Sequence, residues 1–109
     1  MDHYLISFPS ATMRLTDEEF PEVVRTSHEA IEEAKAAGVY VFAGGLDEST
    51  APVLVHPDGT QEPSSNRLDG GFCVVRVASR EEAEHWAARI AAGCRTPQEL
   101  RMFMYDPAS

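Results

Sequence analysis

The sequence predicts a single α+β domain built from one antiparallel sheet and two helices. Three observations predict it. The 109 residues, 43% of them hydrophobic, suit one packed core and no more. Two segments carry apolar residues at helical spacing, and each opens on a Ser/Thr-x-x-Glu capping box. Short aromatic and β-branched runs flank both, so the elements read β-α-β-(β)-β-α-β.

His3 to Phe8, HYLISF, is the first strand, stopped by Pro9-Ser10. Tyr4, Ile6 and Phe8 alternate with Leu5 and Ser7, so both faces are largely apolar. A strand of that kind lies centrally in its sheet. Thr16-Asp17-Glu18-Glu19 is the first capping box, with Thr16 accepting from the Glu19 amide and Glu19 reaching back. Pro21 comes late for that start. Either a short turn precedes the helix or the helix bends there. Phe20, Val24, Ser27, Ile31 and Ala34 mark its expected buried face, and Gly38 is its left-handed stop.

Val39 to Ala43, VYVFA, is the second strand, and Gly44-Gly45 is expected to break it. Pro52 to His56, PVLVH, is a short strand of a hairpin arm, followed by the turn Pro57-Asp58-Gly59. Gln61 to Asp69 reads as a surface loop. Gly71 to Ala78, GFCVVRVA, is a strand with apolar residues on both faces. Ser79-Arg80-Glu81-Glu82 caps the second helix. Its apolar positions are Ala83, Trp86, Ala87, Ile90 and Ala91, and Gly93 closes it. Leu100 to Tyr105, LRMFMY, is the last strand.

Without the arm, the order is two βαβ halves, the ferredoxin-like plan, with both helices on one face of the antiparallel sheet. Leu5, Cys73, Val75 and Phe103 cannot all hide behind two helices. The open face is therefore apolar too, and a homodimer that buries it is the expected partner arrangement.

Composition narrows the function classes. The net charge is −9, from 18 acids and 9 bases. That argues against nucleic acid and against anionic membranes, which need clustered Lys and Arg. The two cysteines, Cys73 and Cys94, form neither a disulfide framework nor a zinc site; Cys73 reads as a buried thiol. MDHYLISFPS lacks the pattern of a signal peptide, and no apolar run is long enough for a membrane helix, so the cytoplasm is the expected location.

His28 to Asp47 is the one stretch that puts a base, an acid and a glycine-bearing backbone in a single helix–strand unit. On an ideal helix, His28 lies about 80° from the centre of the expected buried stripe. From that shoulder it can look into a cleft, and its chemistry suits proton transfer near neutrality. The same position suits a packing histidine or a solvated one. Gly44 and Gly45 allow positive φ and close backbone approach to a ligand. Asp47 can orient His28; alone it reads as a turn acid. Glu32, one turn after His28, gives a conceivable metal set with His28 and Asp47. HEAIE is not the two-histidine zinc pattern, however, and no metal or cofactor is expected.

The chain resembles the YCII-related, or DGPF, family over nearly its whole length. HYLISF, SHEAIEEAKAAG, VYVFAGGLD, VLVHPDG, GGFCVVRVAS, REEAEHWAARIA and ELRMFMYDP carry the likeness through their order and spacing. The resemblance implies one domain over residues 1–109 and a dimeric α/β-barrel fold. It also implies a His-Asp pair in a cleft beside the sheet, mapping onto His28 and, less directly, Asp47. On the residues alone, Glu32 and Asp69 are the other candidate partners for the histidine. One relative is a dehydrochlorinase of a chlorinated hydroxyquinol, and most members have no assigned reaction. The D-G-P-F signature is altered here; Asp69-Gly70-Gly71-Phe72 is the nearest text. The expected function is a cofactor-independent small-molecule enzyme for proton abstraction, elimination or isomerisation. His28 and Asp47 are its catalytic pair, and Gly44 and Gly45 bind substrate. The alternative is a non-catalytic dimeric module that binds a small ligand or serves a regulatory partner.

Overall fold

The computed structural model describes residues 1–66 and 68–109. Its elements are β1 (Asp2–Phe8), α1 (Phe20–Ala36), β2 (Tyr40–Gly45), β3 (Val53–Val55), β4 (Gln61–Pro63), β5 (Gly71–Val77), α2 (Arg80–Cys94) and β6 (Glu99–Met102), with a 3-10 turn at Ser10–Thr12. Four strands form one sheet in the order β2-β5-β1-β6, and β3 and β4 form a separate two-stranded sheet. Every pairing is antiparallel. The strand with two apolar faces, β1, lies between β5 and β6, as expected.

Opposed residues fix the two faces of the sheet. Tyr4 faces Val75 and Ile6 faces Cys73 across β1 and β5. These four pack with Ala30 and Ala34 of α1 and with Ala83, Ile90 and Cys94 of α2 in one buried cluster. Both helices therefore cover the same face. The other face carries Leu5 opposite Val74, and Val74 opposite Phe42. Arg101 lies opposite Leu5, and by alternation Phe103 follows it. Phe42 is 61% exposed and Phe103 45%.

The helix ends follow local chemistry. The Thr16 hydroxyl accepts from the Glu19 amide at 3.2 Å but donates to the Glu19 carboxylate at 3.0 Å, so the expected box closes the turn before α1, while Glu19, the N-cap residue of the helix itself, makes no side-chain cap bond. A turn over residues 17–19 precedes α1, and Pro21 sits in the first helical turn, where no backbone bond is lost. At the far end the Gly38 amide donates to Lys35 at 3.0 Å and the Val39 amide to Ala34 at 3.2 Å. With Gly38 at φ 76°, that is the Schellman stop. Ser79 caps α2 by accepting from the Glu82 amide.

Several expectations are corrected. Gly44 and Gly45 do not break β2; they pair with Phe72 and Gly71 inside it. The irregularity lies earlier, where Tyr40 faces Val75 and Phe42 faces Val74, leaving Val41 as the extra residue of a bulge. Gly93 does not end α2, which continues to Cys94 and stops at Arg95 with φ 55°. Gly93 instead marks the helix crossing: a Cβ there would lie 2.8 Å from the Thr26 carbonyl oxygen. The Thr26 hydroxyl donates to the Gly93 carbonyl at 2.6 Å. The expected loop over 61–69 begins as β4, and its residue 67 lies outside the described residues. The last strand is shorter than expected and ends at Met102; the Phe103 amide still donates to the His3 carbonyl at 2.9 Å, and Met104 is 91% exposed.

Candidate functional site

The buried residues of α1 are Val23, Ala30 and Ala34. They form a stripe rotated from the one the sequence suggested. Phe20, Val24, Ser27 and Ile31, expected in the core, form instead a ridge along one wall of a cavity of about 680 Å³. The opposite wall comes from the sheet: Ile6, Tyr40, Ala43, Gly44, Gly45, Gly71 and Cys73. Phe8, Met13, Ile90, Cys94 and Gln98 contribute at the core end. The surroundings are mostly apolar, with few polar groups, which is the usual make-up of a small-molecule site.

His28 lines this cavity together with Gly44 and Gly45. It is exposed and lies at the mouth. By ideal helix geometry it stands about 140° from the centre of the buried stripe, rather than 80°. Asp47 is not among the residues that line the cavity. Its carboxylate accepts from the Ser49 amide at 2.9 Å and from the Ser49 hydroxyl at 2.6 Å. The Ser49 hydroxyl, and then its amide, hold the Asp47 carboxyl below the usual carboxylate range. The two other carboxylates considered for His28 are also engaged elsewhere. Glu32 pairs with Lys35 at 3.1 Å, and Asp69 accepts from the Ser10 amide at 3.0 Å. Among the described residues, no cluster of three His, Cys, Asp or Glu side chains could hold a metal ion.

Gly44 and Gly45 supply no positive φ. A Cβ on Gly45 would find only the Gly70 carbonyl oxygen, at 3.8 Å. The strict glycine requirement sits across the ladder. Gly70 has φ 91°, and a Cβ there would fall 1.8 Å from the Phe8 carbonyl oxygen. On Gly71 it would meet the Phe8 ring at 2.6 Å. The Leu46 amide donates to the Gly70 carbonyl at 2.9 Å, closing the strand ends beside the cavity. From there the β3–β4 arm departs.

Tyr40 and Lys35 belong to the site and were not anticipated. The bulge at Val41 keeps Tyr40 on the cavity face and brings Ala43 to the same face. The Ala43 amide then donates to the Tyr40 hydroxyl at 3.1 Å. The Lys35 ammonium stands 5.1 Å above the centre of the Tyr40 ring. The Glu-x-x-Lys spacing was the only trace of this in the sequence, and such pairs are common on exposed helices. Cys73 and Cys94 are free and buried. Burial pushes the Cys73 thiol up to about 11 and raises Cys94 as well, so neither is poised as a nucleophile.

No protein-family model and no curated protein matches this chain.

Proposed function

We propose that this chain is a homodimeric small-ligand-binding protein of the ferredoxin-like, dimeric α/β-barrel type. The observation that carries the ligand reading is the cavity of about 680 Å³ between α1 and the sheet. Its volume falls within the roughly 300–1,000 Å³ of small-molecule pockets. The alternation of strands and helices and the order β2-β5-β1-β6 support the ferredoxin-like plan. The sequence resemblance to the YCII-related family supports the same plan.

The dimer reading rests on apolar surface without cover. Leu5, Phe42, Val74 and Phe103 share the face that no helix occupies. In β3, Val53, Leu54 and Val55 are 55%, 43% and 57% exposed. A lone hairpin of this length is marginal in water without something to pack on. The radius of gyration, 15.7 Å, exceeds the about 13 Å of a compact chain of this length. A second copy is the occupant that supplies both missing surfaces.

A catalytic form of the reading is favoured by one observation, the place of His28 at the cavity mouth. There it would move a proton in an abstraction, elimination or isomerisation that needs no cofactor. Asp47 would have to leave Ser49 to orient it.

Native mass spectrometry of the protein incubated with a small-molecule library tests the proposal. The expected result is a species at twice the 12.0 kDa chain mass that takes up one ligand per chain. A monomer that takes up none would contradict it. His28→Ala separates the two forms: retained binding with lost turnover marks the enzyme, and retained binding with no turnover in either protein marks the binder.

A further inference from the structure

The polar side chains on the cavity wall are few, and most are already engaged. The Ser27 hydroxyl donates to the Val24 carbonyl at 2.9 Å, and the Gln98 amide donates to Thr96 at 3.2 Å. Tyr40 differs. Its oxygen accepts from the Ala43 amide, which fixes it at the wall, and among the described residues nothing accepts its proton. Lys35 also differs. Its ammonium has one carboxylate partner, Glu32, and lies over the Tyr40 ring, so donors remain for a ligand.

Resting on the ligand reading above, we infer that Tyr40 and Lys35 form the anion-reading corner of the cavity, and that the ligand is an apolar, aromatic-bodied carboxylate. The ammonium and the phenol both line the cavity, with 5.1 Å between the nitrogen and the ring centre. One carboxylate bridges two such groups with a hydrogen bond of about 2.8 Å at each end. The ring body of the ligand then runs along Phe20, Val24 and Ile31. Glu32 opposes this. It shares the ammonium at 3.1 Å and repels an incoming anion, so the preference for charge is moderate. His28, at the mouth, faces the same ligand from the solvent side.

The test is a ¹H–¹⁵N NMR titration with 2-naphthoate and with 2-naphthalenemethanol, which share a ring system and differ in charge. The Ala43, Gly44 and Gly45 amides report the cavity. The expected outcome is naphthoate binding about tenfold tighter than the alcohol in the wild type. Lys35→Met should bring the two within about twofold, weakening naphthoate far more than the alcohol. Tyr40→Phe, which keeps the ring under the ammonium, should weaken naphthoate by about threefold. Glu32→Gln should strengthen it. Equal binding of the two probes at these amides, unmoved by Lys35→Met, would overturn the inference and leave the ligand reading standing. Movement of no cavity amide by either probe would remove both.

Discussion

Replacing Gly70 by alanine should cost the protein several times what the same change costs at Gly45. Gly70 holds φ 91°, where an L side chain is strained by about 1–3 kcal/mol. The new Cβ would also fall 1.8 Å from the Phe8 carbonyl oxygen, 2.9 Å from its carbon and 3.1 Å from Pro9 Cα. These are backbone atoms, so no rotamer change relieves the overlap. The Phe8–Pro9 segment or the root of the arm must move, a rearrangement that costs about 1–3 kcal/mol more. The sum is about 2–6 kcal/mol, a large share of the about 5–15 kcal/mol that holds a domain folded. At Gly45 the Cβ meets one atom at 3.8 Å and φ is ordinary. Less freedom in the unfolded chain then leaves Gly45→Ala within about 1 kcal/mol of wild type. Urea unfolding of the three proteins reads the difference. With a slope near 1.5 kcal/mol per molar urea, a loss of about 3 kcal/mol moves the midpoint by about 2 M. Equal midpoints for Gly70→Ala and wild type, or an equal loss at Gly45, would refute the reasoning.

Three further outcomes follow from the packing. Gly93→Val should lower stability by about 1–3 kcal/mol in the same assay, because a Cβ there already lies 2.8 Å from Thr26 and 3.1 Å from Ala30; no loss would mean the helices do not cross as closely as described. Phe42→Glu puts a charge on the open sheet face and should shift the mass seen by light scattering from a dimer to the 12.0 kDa chain, whereas a wild type already at that mass would count against the dimer. Stability should fall as pH rises from about 9 to about 11. Burial raises the folded Cys73 thiol above its value of 9.0, so the unfolded chain loses its proton first and gains over that window. Cys73→Ala should reduce that slope and leave the part that the raised Cys94 thiol supplies, and an unchanged slope would place its cause elsewhere.

The fold was largely legible because its signals are local. The Ser79 cap, the Gly38 stop and the two-faced strand β1 each depend on a few neighbouring residues. The site was legible only in part. His28 and the Gly44–Gly45 backbone reach the same cavity, since helix phase and strand order bring them together. Asp47 does not join them, because a Ser two residues on offers its carboxylate a nearer partner. The bulge at Val41 carries no local signature in VYVFA; it sends Phe42 to the open face and Ala43 to the cavity. The helix stripe was misjudged by a rotation for a related reason. Phe20, Val24 and Ile31 are apolar because they line a cavity, and periodicity cannot separate a cavity wall from a core.

That the cavity between α1 and the sheet takes a small molecule is tested most directly by melting temperatures measured with one set of small aromatic acids, amides and alcohols, on wild type and on Val24→Trp, whose indole would narrow that cavity. A ligand present at ten times its Kd stabilises the folded state by about 1.4 kcal/mol, several degrees for a domain of this size. Some compounds should raise the wild-type midpoint by that amount and shift Val24→Trp less. Equal shifts in both proteins, or none in wild type across the set, would contradict it.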